Sequence, residues 1–164
     1  MTNNDVQRLC QIFSTTEQHL EEYASIAEAI MKIESEENEL LTEKIAERQK
    51  LVDEIDKLRK EATGIIDSGD KLEAELIRGM LKDGTVNEHI TDQLVPVRKA
   101  IVNLRSAQLK AAEIDRALQL QFESRLQEAK DQLKQLNDEK KKLDYYSSLN
   151  QTGAQLGGSL DGSF

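Results

Sequence analysis

The stretch VRKAIVNLRSAQLKAAEIDRALQLQFESRLQEAKDQLKQLNDEKKKL, residues 97–143, decides the fold class of this chain. Val97, Ile101, Leu104, Gln108, Ala111, Asp115, Leu118, Phe122, Leu126, Ala129, Leu133, Leu136, Lys140 and Leu143 recur at steps of four and three, which returns them to one face of an α-helix. Two successive steps of four, Leu118 to Phe122 to Leu126, make a stutter, where a supercoil locally straightens. Gln108, Asp115 and Lys140 are polar members of the stripe, and polar seam residues cost stability while setting register. Pro96, the single proline, suits the first turn of this helix. The pattern predicts a long helix over 96–146 that lies back against the N-terminal part of the chain.

Working toward the N-terminus, Val6, Leu9, Phe13, Leu20, Tyr23, Ala27 and Ile30 trace a second helical face, with a polar step near Thr16. The stripe fades across Glu34–Glu39 and resumes at Leu41, Ile45, Val52, Ile55, Ala62 and Ile65, widened by Leu51 and Leu58. No Gly or Pro breaks residues 1–63, so residues 1–66 read as one very long helix or two nearly collinear ones. Between them and Pro96, over 67–95, the chain is dotted with Gly69, Gly79 and Gly84, following Gly64, and short helices with loops are expected. Glycine closes helices through a left-handed cap. Asp70 or Ser68 suits the cap of a helix over 72–81, and Thr85 with Glu88 has capping-box spacing. The fold class is therefore all-α: a long antiparallel helical hairpin or coiled-coil bundle, as one domain over 1–146, with short helices in the middle. The last segment, 147–164, holds four Gly, four Ser and one charge, Asp161, and is read as a disordered tail.

Composition narrows function by exclusion. The 164 residues include 31 acids and 22 bases, for a formal charge of −9, with 4% aromatic residues and no Trp. Few large rings are available to fill an ordinary globular core. One cysteine, Cys10, supports neither a disulfide framework nor a thiolate cluster and reads as a small buried hydrophobe. No apolar run approaches the roughly 18 residues of a membrane span, and Met1–Asp5 shows no secretory signal. A sequence pI of about 4.8 argues against a nucleic-acid footprint. Ten acids against two bases between Glu17 and Glu47 concentrate the negative charge, as a solvated face or as an arm favouring a basic partner. The expectation is a cytoplasmic protein without membrane insertion.

Catalytic chemistry finds little support. Gly64–Lys71 resembles a phosphate loop, yet Asp70 separates the second glycine from the lysine and no Ser or Thr follows. Glu88, His89 and Asp92 bring two metal-ligand types within one turn, but Thr16 and Val86 stand where a dinuclear helical site, built on His19 and His89, needs Glu. No Cys–His or Ser–His–Asp constellation assembles. No enzyme, cofactor or metal site is expected. Long amphipathic helices with polar seams instead recognise partner helices, and the expected place is near the C-terminus, where Leu133, Leu136 and Leu143 run on to the adjacent Tyr145 and Tyr146.

Two stretches carry a family resemblance. Glu36–Leu41 through Arg48–Ile55 is an acidic run followed by a Lys- or Arg-containing Leu/Ile helix. Ala112–Arg116 through Lys140–Tyr145 is a helix with an Ile-Asp start and a Lys-rich, Tyr-ended finish. Together they cover about half the chain, which resembles the small bacterial flagellar export chaperones of the FlgN/FliT type. The resemblance implies an acidic all-α chaperone that holds hook-associated or filament-cap subunits unassembled and delivers them to the type III export gate. Carried across residue by residue, it implies partner contacts at Phe122, Leu126, Leu133, Leu136, Tyr145 and Tyr146, in a monomer or weak homodimer. The Gly-dotted insert between Gly64 and Pro96 departs from the family's compact form. The rival expectation is a structural coiled-coil subunit, a tether or scaffold, whose seam is permanently buried in a larger assembly.

Overall fold

The computed structural model describes residues 1–34, 37–83 and 90–156. All regular structure among them is helical: α1 (Asn3–Lys32), α2 (Asn38–Ser68), α3 (Lys71–Asp83), a 3₁₀ turn (Asp92–Leu94) and α4 (Val95–Leu156). Packing divides the chain into two compact units, Met1–Gln119 and Leu120–Phe164, where one domain over 1–146 is expected.

Helix α1 opens with a capping box that satisfies two orphan donors. The Asp5 N–H donates to Thr2 Oγ1 at 3.2 Å, and the Thr2 N–H donates to Asp5 Oδ2 at 2.9 Å. It closes at Ile33, which adopts an extended conformation, φ −70° and ψ 130°. The chain then reverses. Arg8 Nε donates to Glu61 at 2.6 Å and His19 Nε2 stands 3.6 Å from Glu54, so α2 runs antiparallel beside α1. This corrects the expectation of one helix or two collinear ones over 1–66. A run without apolar residues has nothing to bury, so it tolerates a turn, and reversal lets both stripes cover each other.

The middle helix follows its capping signal. Asp70 Oδ1 accepts from the Leu72 N–H at 2.9 Å, and α3 starts at Lys71. The glycines behave differently from the expectation. Gly64 and Gly79 lie inside α2 and α3, and Gly69 ends α2 in extended backbone, φ −80°, rather than a left-handed cap. A Cβ at Gly69 would sit 3.0 Å from Met1 Cγ, so a side chain there would have to displace the methionine. The Thr85–Glu88 box lies outside the described residues.

Helix α4 runs parallel to α1 in the first unit. Gln93 donates to the Met1 carbonyl at 3.0 Å and Tyr23 donates to Asp115 at 2.8 Å, the same offset along both helices. The expected helix over 96–146 continues to Leu156, passing Ser147–Thr152, which holds no Gly or Pro, and taking in Gly153 in its last turn. Residues 157–164 of the expected tail lie outside the described residues.

Two apolar clusters hold the first unit. Leu9, Ile12 and Phe13 of α1 meet Ile77 of α3 and Leu94, Val97 and Ile101 of the 3₁₀ turn and α4. Farther along α1, Ala27, Ile30 and Ile33 meet Leu118. Each large side chain buried this way contributes about 1.5–3 kcal/mol. Thr16, the polar step in the α1 stripe, is buried with its hydroxyl satisfied, since it donates to the Ile12 carbonyl at 2.8 Å.

Candidate functional site

Within α4 the stripe changes character at the boundary between the units. Val97, Ile101, Leu104, Ala111 and Leu118 are buried, whereas Phe122 is 38% exposed, Leu133 and Leu136 61% and Leu143 69%. The second unit thus presents a heptad seam on its own, with Leu126, Leu133 and Lys140 at a positions and Phe122, Ala129, Leu136 and Leu143 at d positions. Phe122, Leu126, Leu133 and Leu136, four of the six residues singled out above, share this face. The two tyrosines do not join it squarely. At about 100° per residue, Tyr146 lies about 60° from Leu143, on the flank of the seam, while Tyr145 lies about 180° from Leu136, on the far side. Their rings meet edge-to-face with centroids 6.0 Å apart.

The far side of this segment satisfies itself. Ser124 donates to Glu128 at 3.3 Å and Gln127 to Asp131 at 3.1 Å, both across one turn and both away from the seam. Flanking the seam are Arg125, Gln132, Glu139 and Tyr146 on one edge and Glu123, Lys130, Asn137 and Asp144 on the other. Ala129 and Leu143 belong to the face as fully as the named leucines, and their position in the four-three repeat was the signal for them.

The first unit contains a polar junction that the stripes alone do not reveal. The Arg48 guanidinium of α2 lies over the Tyr23 ring, 3.8 Å from its centroid, and donates through Nη2 to Asp115 of α4. Tyr23 Oη donates to the other Asp115 oxygen at 2.8 Å. Three helices are pinned at one point, and Asp115 is the polar seam residue whose presence predicted a register device. Burial, then the bond to Asp115, pushes the Tyr23 phenol above its ordinary value, because both favour the neutral form. Arg48 was not singled out, since nothing local marks it as the partner of a residue 67 positions away.

Reactive chemistry is sparse among the described residues. No three His, Cys, Asp or Glu side chains converge to hold a metal ion. Cys10 is half-buried against the first cluster, and burial raises its thiol above the ordinary value, which makes it a poor nucleophile. A cleft of about 500 Å³ opens between the helices of the first unit beside Phe13, Ile55 and Leu104, with Asp56 and Arg59 at its edge. It carries no base–nucleophile pair. Of the triplet weighed for metal binding, Asp92 is exposed in the 3₁₀ turn, and Glu88 and His89 lie outside the described residues. No described helix is long and apolar enough to cross a membrane.

Family models, curated proteins and solved structures were compared with the chain, and none matches it.

Proposed function

We propose that this protein is a helix-presenting chaperone, whose α4 seam beyond Gln119 shelters an amphipathic helix of another protein. The observation that carries the reading is the exposure of Leu126, Leu133, Leu136 and Leu143 on one face of one helix. A contiguous apolar stripe of this length is rarely left to solvent, and it marks an interaction surface. The complementary partner is a helix with anchors at i, i+3, i+4 and i+7 spacing, buried in exchange for water. Lys140 keeps the seam from being uniformly apolar, which suits an interface that is formed and released better than a permanent one. The resemblance to flagellar export chaperones supplies the class of partner: the C-terminal helical segments of hook-associated or filament-cap subunits, held in the cytoplasm and passed to the export gate. Binding would involve exchange of helix contacts without covalent chemistry.

The test is calorimetric titration of the full chain with those C-terminal segments from the same genome. Micromolar or tighter binding that falls at least about tenfold in Leu133→Ala with Leu136→Ala supports the reading, since each lost leucine removes more than about 1.4 kcal/mol of burial. Circular dichroism should show helicity retained, because neither leucine is part of the chain's own buried core and alanine favours helix. Failure of every such segment to bind removes the flagellar assignment. The strict four-three spacing from Leu126 to Leu143 also fits the second reading, a structural coiled-coil subunit. That reading predicts an obligate oligomer with slow amide exchange throughout α4.

A further inference from the structure

We infer that, without a partner, the α4 seam is occupied by a second copy of itself in antiparallel orientation. The proposal rests on the same seam as the partner-binding reading, and its evidence is the charge pattern on the seam's two edges.

A parallel pairing is opposed at every level. It would bring Lys140 against Lys140 in the core of the seam, because a positions face each other. In the parallel arrangement each g residue meets the e residue five positions on in the other chain. Arg125 would then face Lys130, and Glu139 would face Asp144, twice each by symmetry. Like charges so placed push the chains apart, and the only uncharged flanking pair, Gln132 with Asn137, does not compensate.

Reversing one chain removes all of these contacts. In an antiparallel pair a positions face d positions, g faces g and e faces e. One register sets Leu126 opposite Leu136 and Ala129 opposite Leu133, a small residue against a large one, as interdigitation requires. The same register sets Phe122 opposite Lys140, whose aliphatic stem covers the ring while its ammonium reaches water. Arg125 then stands opposite Glu139 of the second copy, twice by symmetry, as opposite charges. Lys130 meets its own symmetry mate once, at the exposed edge of the two-fold axis. Sliding one heptad to pair Leu133 with Leu136 instead places Glu123 against Asp144 and loses the Arg125–Glu139 pairs. Charge therefore selects the direction and disfavours that slide. The extent of leucine overlap selects the register against the opposite one, because sliding one heptad the other way pairs Glu123 with Lys130 but leaves Leu136 and Leu143 without a partner leucine. The overlap is about three heptads, close to the shortest length that holds in water, so self-association is expected at roughly 1–100 µM.

The experiment is sedimentation equilibrium on the full chain and on three variants: Arg125→Glu, Glu139→Lys and the two together. Dimerisation of the unaltered chain, weakened about tenfold or more by either single swap and restored by the double swap, is the expected result. The double swap recreates the same pairs with signs exchanged. A chain that stays monomeric at about 100 µM overturns the proposal. So does a dimer that Arg125→Glu strengthens, which is the parallel outcome, or one that neither swap alters. Circular dichroism on each variant separates loss of pairing from loss of helix. Titrating the exported-subunit segments into the monomeric Arg125→Glu variant separates the two readings: binding there with no self-pairing in the parent leaves the chaperone role standing alone, and self-pairing without binding does the reverse.

Discussion

Replacing Asp115 with alanine tests whether the junction of Tyr23, Arg48 and Asp115 sets how α4 sits against the hairpin. The substitution leaves the Arg48 guanidinium without its carboxylate and the Tyr23 hydroxyl without its acceptor. A fully buried pair broken this way costs about 3–5 kcal/mol, and a fully exposed one about 0–1 kcal/mol. The Arg48 side chain is 15% exposed and that of Asp115 42%, so the site falls between these limits. Stacking on Tyr23 holds the guanidinium in place and lowers the entropy the pair loses on forming. An expected loss of about 2 kcal/mol follows, or a fall in Tm of about 4–8 °C for a chain this long. Urea unfolding followed by circular dichroism reads it directly. Tyr23→Phe should cost about 1 kcal/mol in the parent chain and almost nothing when Asp115 is already alanine, because the same hydrogen bond is gone. A loss below about 0.5 kcal/mol for Asp115→Ala, or strict additivity of the two substitutions, would refute the claim that the three groups act as a unit.

Other expectations follow from single sites. The Tyr23 phenol is raised above its ordinary 10.0 in the folded chain, so the stability it confers is complete below pH 10 and is lost as pH rises through the raised value. Urea midpoints measured from about pH 8 to 11 should therefore converge toward those of Tyr23→Phe, and parallel curves would show that the phenol does not contribute. Gly64 and Gly79 lie within helices, and a Cβ at either meets nothing within 4 Å. Alanine at each should raise stability by about 0.5–1 kcal/mol in thermal melts, and destabilisation would reveal a role for the glycine beyond the helix. Arg105 of α4 donates to the Leu81 carbonyl at 3.0 Å, near the end of α3. Arg105→Ala should cost about 1–2 kcal/mol and speed amide exchange over 71–83, and unchanged exchange there would mean that α3 is held by its apolar face alone.

Several features of this protein were legible one residue at a time. The three-four spacing of Val6, Leu9, Phe13, Ala27 and Ile30 announced a buried helix face, and those residues are buried. Asp70 announced the start of α3 because capping is a contact over two or three residues. The heptad over 122–143 was readable for the same reason, since a helix brings i, i+3, i+4 and i+7 together without help from the rest of the chain. Less of the path through space was readable. The polar run at Glu34–Glu39 is compatible with a continuous helix in propensity, and reversal won because only an antiparallel hairpin lets the α1 and α2 stripes cover each other. Tyr145 illustrates the opposite limit, for the resemblance names it as a contact together with Leu133 and Leu136, while helical rotation turns it to the far side of the seam.

By itself the sequence determined that this chain is all-helical, where its apolar faces run and which of them repeat as heptads, because these follow from local propensity and periodicity. Tertiary structure alone decided which part of the long C-terminal stripe is consumed by the protein and which is left over. Val97 and Leu133 look alike in the repeat, yet one is buried and the other is 61% exposed. Periodicity records that a face is apolar, but its burial depends on a facing surface contributed by residues far away in the chain. α1 and α3 supply that surface in the first cluster and α1 again at Leu118, and among the described residues no comparable apolar cluster covers the stripe beyond it.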